Sequence, residues 1–156
     1  MKLAEALSRR QELNQLISSQ VSHMSENVTY NEDEEQTNTF VFPVAVAELE
    51  RLHQELRTLI VAINVTNVQT ILPSGYSIME TIAQRDSFKA LAASYASLKT
   101  STRYAYNRRT SHDELKFFNN FTSKDVDDLA QRASEQYRKL DLELQEANWT
   151  TELITQ

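Results

Sequence analysis

The residue types best suited to chemistry in this chain are its three histidines, His23, His53 and His112. His53 closes Glu50-Arg51-Leu52-His53, a Glu-x-x-His that on a helix sets a carboxylate and an imidazole on one side of the rod, where both can reach one ion. A di-metal carboxylate site needs a second copy of that half-motif. None is present, because Gln20 precedes His23 and Arg109 precedes His112 at the same spacing. A solvated polar face is the preferred reading of Glu50 and His53, and no metal is expected. The histidines fall on separate elements and no nucleophile elbow accompanies them, so no catalytic residue is assigned and the chain is read as a non-enzyme. One glycine, Gly75, cannot build a phosphate cradle, which needs several residues free to take positive φ; no nucleotide or other cofactor is expected. The absence of cysteine excludes disulfides, thiolate nucleophiles and cysteine metal sites, and it fits a reducing compartment.

Two further stretches could hold a ligand. RYAYNRRTSHDELKFF, 103–118, interleaves Arg103, Arg108, Arg109 and Lys116 with Tyr104, Tyr106, Phe117 and Phe118, the mixture of rings and cations that holds single-stranded nucleic acid. Asp113 and Glu114 stand inside it, and Arg and Tyr also serve protein interfaces, so Tyr104 and Arg108 are read as interface residues and nucleic acid is the disfavoured partner. The acidic NEDEE at 31–35 lacks the spacing and turn glycine of a calcium loop and is read as solvated. A formal charge of −6 repels nucleic acid and anionic lipid at long range.

The elements that would carry these residues are helical. A chain of 156 residues is one ordinary domain, here read as a single helical domain over 1–156. One glycine and two prolines leave little material for tight turns or bulges, which favours long helices. The apolar spacing predicts helices over about 2–25, 43–68, 77–102 and 123–154. On the first, Leu3, Leu7, Ile17, Val21 and Met24 form a stripe flanked by Leu13 and Leu16. Pro43 suits the first turn of the second, where no amide hydrogen is lost, and Leu49, Leu52, Leu56, Leu59, Ile60 and Ile63 follow at coiled-coil-like steps. Ser77 with Glu80, and Thr122 with Asp125, form capping boxes that open the third and fourth. The third carries Ile78, Ile82, Phe88, Leu91, Tyr95 and Leu98; the fourth a seam from Val126 and Leu129 to Leu144 and Ala147. Val28 with Tyr30, Phe40 with Phe42, and LKFFNNF at 115–121 read as short extended pieces. The fold class is therefore mainly α, an elongated four-helix, coiled-coil-like bundle with a small extended β element.

Polar residues interrupt the seams: Asn64, Thr66 and Asn67 in the second helix, Arg85 and Asp86 in the third. At a seam position such residues fix register and oligomer state; near helix ends they simply face water. Narrow seams leave Leu13, Leu16 and Tyr95 as flanks that a homo-oligomer would bury. Trp149, the one tryptophan, sits in EANWTTEL at 146–153 and is read as a packing plug against a neighbouring helix or subunit, its indole N–H bonded nearby. The N-terminus lacks a signal-peptide core and no window approaches the roughly 20 apolar residues of a membrane span, so a cytoplasmic location is expected. The four Asn-x-Ser/Thr triplets, at Asn27, Asn64, Asn120 and Asn148, then carry no sugar.

Four blocks, MKLAEAL at 1–7, INVTN at 63–67, METIAQRDSFKAL at 79–91 and QEANWTTEL at 145–153, together resemble a bacterial family of small helical proteins labelled septicolysin. The resemblance implies a mostly helical bundle with a small extended element and self-association, and it transfers no catalytic residues. Its label implies a membrane-active cytolysin, for which FVFPVAVA at 40–47 would be the inserting segment. The expectation adopted is a cytoplasmic helical interaction or scaffold protein, homo-oligomeric, with an unknown protein partner; a septicolysin-like cytolysin and weak nucleic-acid association through 103–118 are the alternatives.

Overall fold

A computed structural model describes residues 1–30, 38–108 and 120–155, with side chains described outside 99–119. Among the described residues the chain forms four helices, α1 (Leu3–Glu26), α2 (Phe42–Gln69), α3 (Ile78–Arg108) and α4 (Ser123–Thr150). The mainly α class holds, and among the described residues no strand pairs beyond two isolated bridges, Lys2 with Glu152 and Ile71 with Ser77. The expected extended pieces are corrected accordingly. Val28 and Tyr30 follow α1 without pairing, and Phe42 is the first residue of α2. Phe40–Ala47 is thus mostly helical, with Ala45 buried. Of LKFFNNF, residues 115–119 lie outside the described residues.

The helix boundaries have local causes. The Glu5 carboxylate accepts the Lys2 amide at 2.7 Å and so satisfies one of the bare N–H groups at the start of α1. Asn27 closes that helix, its side-chain amide donating to His23 O at 2.8 Å. Pro43 stands in the first turn of α2. Both capping boxes form: Glu80 accepts from the Ser77 amide at 2.8 Å, and Asp125 accepts from the Thr122 amide at 2.8 Å. Between α2 and α3 the chain turns through Gly75, at φ 88°, a backbone state that suits a residue lacking Cβ.

The chain divides into two compact units, residues 1–70 with 148–156, and residues 71–147. In the first, α1 packs on α2, with Gln20 donating to Ala45 O at 3.0 Å. Burial on α2 recurs every seven residues, at Ala45, Leu52, Leu59 and Thr66. On α1 it falls on Leu3, Ala6 and Leu13, with Ile17 and Met24 half-buried. Leu13 is therefore core and no flank, whereas Val21, placed on the stripe by spacing, is exposed. The phase is obscured because polar Gln20, half-buried, stands on the packed side of this helix. In the second unit, Val126, Ala133, Leu140 and Ala147 repeat the seven-residue burial on α4. Leu129 on α4 and Leu91 and Leu98 on α3 stand exposed, off those faces. The turn before α3 is plugged by buried Leu72 and tied to α4 where the Ser74 amide donates to the Glu143 carboxylate at 3.0 Å.

Candidate interaction surface and terminal clasp

In the first unit the two ends of the chain build one site. The residue after α4, Thr151, accepts the Leu3 amide at 3.0 Å, and the Leu153 amide donates to Met1 O at 2.9 Å. Lys2 Nζ reaches Glu152 at 2.7 Å and Thr150 O at 2.9 Å. Thr66 of α2 completes the clasp from below. Its side chain is fully buried; the hydroxyl donates to Ala62 O at 2.8 Å and accepts the Ile154 amide at 2.9 Å. One hydroxyl thus closes a helix carbonyl and anchors the tail, which is why a polar residue stands where the seven-residue spacing calls for an apolar one. MKLAEAL, INVTN and EANWTTEL, distant in sequence, meet here.

The interface residues expected from sequence distribute differently. Asn64 is exposed and Asn67 half-buried; of that polar trio the seam position belongs to Thr66. The signal that finds Thr66 is its register with Ala45, Leu52 and Leu59. Trp149 does not plug its own chain. It is 70% exposed, because α4 buries Leu144 and Ala147 and Trp149 lies about 200° around the helix from Ala147. Arg85 is half-buried and pairs with adjacent Asp86 at 2.8 Å and with Asp141 of α4 at 3.5 Å, so it joins two helices while Asp86 remains exposed. Tyr104 and Arg108 belong to the last turns of α3, but their side chains, like the remainder of 103–118, lie outside the described residues. The NEDEE run is also outside them.

Charges are arranged as surface pairs. Arg9 donates to Glu55 at 2.6 Å across the α1–α2 contact and to Glu12 at 2.8 Å; Arg51 reaches Glu48 at 2.8 Å and Glu55 at 3.1 Å. The Arg9 guanidinium, with Arg51 adding, holds the Glu55 carboxyl below its usual range, and Arg51 does the same for Glu48. Glu80 and Asp125 are lowered by the Ser77 and Thr122 donors of the capping boxes, and Glu152 by Lys2. These are pairs that orient helices at solvent-exposed sites, where such contacts contribute little individually. Glu50 and His53 are both exposed, and among the described residues no three His, Cys, Asp or Glu side chains gather as a metal site. His23 lies edge-on to Phe40, ring centres 5.4 Å apart, in an open cleft that Tyr30, Val41 and Val44 also line. Among the described residues no helix is long and apolar enough to cross a membrane.

These features define a mainly α protein with large apolar side chains left on its helix exteriors. Residues 2–153 match a family of unknown function, DUF6847, and the chain belongs to that family. It is similar to a solved structure described as that of a functionally unknown conserved protein from Corynebacterium diphtheriae, with 27% identity, a TM-score of 0.78 and 99% of each chain covered. No curated protein matches the chain. Neither match bears the septicolysin label.

Proposed function

We propose that the protein is a non-catalytic helical interaction protein that acts as a homo-oligomer and offers its outer helix faces to a protein partner. The observation that carries this reading is the set of large apolar side chains standing in water on well-formed helices, with Trp149, 70% exposed, the largest. Isolated exposed apolar residues are ordinary, but a tryptophan on an ordered helix end is the side chain most enriched where partners bind. Its neighbours Thr150–Leu153 are pinned by the clasp, so a partner meeting Trp149 would lose little backbone freedom on docking. Lack of cysteine fits a cytoplasmic setting. Light scattering during size-exclusion chromatography should return more than one 18.0 kDa chain per particle. A single-chain mass at micromolar and higher concentration would remove the reading.

A further inference from the structure

The second half of α2 carries apolar side chains on two opposite sides. One side, Leu59, Ile63 and Thr66, is buried within the chain. The other, about 180° around the helix, carries Arg57, Val61, Asn64 and Val68, all exposed, with Val61 at 48% and Val68 at 51%. A helix with apolar residues on two opposite sides is suited to packing on both. Among the described residues of its own unit, none buries Val61, Asn64 or Val68.

We infer that the Val61–Asn64–Val68 face of α2 is the contact between two copies of this chain, with Asn64 at its centre. This rests on the self-association proposed above and locates it. Three features select a second copy as the occupant. The chain carries a net charge of −6, and between Leu56 and Met79 it has no acidic residue, so this face lets two acidic molecules approach without setting carboxylates against each other. Val61 and Val68 are one heptad apart, the spacing of a helix seam. An Asn amide is both donor and acceptor, so on a two-fold axis it satisfies its own equivalent. An axis crossing α2 at Asn64 sets Val61 of one copy against Val68 of the other. A cationic or anionic partner would find no counter-charge on this face except Arg57 at its margin.

Charge placed at the axis tests the inference. Asn64→Asp brings two carboxylates together and Asn64→Lys two ammonium groups; each variant alone should weaken self-association by about tenfold or more. Mixing the two should restore it. Both substitutions are at an exposed position, so far-ultraviolet circular dichroism and melting temperature should stay near those of the natural chain. If the natural chain associates and both variants associate equally well, the contact lies elsewhere and this inference falls while the proposed function stands. If both variants are monomeric but the mixture does not re-associate, the two-fold placement of Asn64 is wrong. A natural chain that stays monomeric overturns both. Should Asn64→Asp unfold, Val68→Glu, on the same exposed face, supplies the same like-charge contact and must weaken association.

Discussion

Replacing Thr66 by Val tests whether one buried hydroxyl holds the chain's end. The two side chains have nearly the same shape, so packing is kept while both hydrogen bonds are removed. Ala62 O retains its ordinary helical partner, so little is lost there. Ile154 N–H, in contrast, loses the acceptor it meets at 2.9 Å in a half-buried position. An amide stranded in this way costs about 1–3 kcal/mol, and partial solvent access to Ile154 holds the loss near the lower end. Thr66→Ser keeps the hydroxyl and loses one buried methyl group, for about 1 kcal/mol. Stability alone therefore separates the two variants poorly, and the decisive assays are local. Amide exchange at Ile154 should quicken in Thr66→Val and stay slow in Thr66→Ser. Denaturant titration of a double-mutant cycle, with the chain ended at Leu153 as the second change, should show coupling of about 1 kcal/mol, because Thr66→Val then has no amide left to strand. Equal effects of Thr66→Val in the full and shortened chains, with Ile154 exchange unchanged, would refute the argument.

Other expectations follow from the same structure. Trp149→Ala should lower stability by less than about 1 kcal/mol, since the ring is mostly in water, and the emission of the natural chain at high dilution should be that of a solvated indole; a strongly blue-shifted maximum would show the ring to be covered. Gly75→Ala should cost about 1–2 kcal/mol through its φ of 88°, although a Cβ there meets no atom within 4 Å; an unchanged denaturation midpoint would mean that the turn relaxes. The carboxyls of Glu48, Glu55, Glu80, Asp125 and Glu152 are lowered in the fold relative to the unfolded chain, so their contribution is fully present above the ordinary carboxylate value and is lost as pH falls through the lowered values. The melting temperature should accordingly be flat near neutrality and decline below about pH 4.5, and a decline that began near neutrality would contradict this assignment.

Much of the local structure was legible in the sequence. Ser77 with Glu80 and Thr122 with Asp125 announce helix starts because the two side chains and two amides that satisfy each other are neighbours in the chain. Helical phase was harder. Leu3, Leu7 and Val21 suggest one stripe, but burial follows Leu3, Ala6 and Leu13, because polar Gln20 sits on the packed side and finds Ala45 O there. Trp149 poses a similar difficulty: its size suggests burial, yet its angle from Ala147 turns it outward on its own chain. The clasp was beyond local reading altogether. Its bonds join residues 1–3, Thr66 and 150–154, and only the heptad register of Thr66 hinted that a hydroxyl there had a partner.

Sedimentation equilibrium of the natural chain from micromolar to millimolar concentration tests the account most directly. The mass should rise with concentration toward twice 18.0 kDa, and a mass fixed at that of one chain throughout would show that the chain does not self-associate.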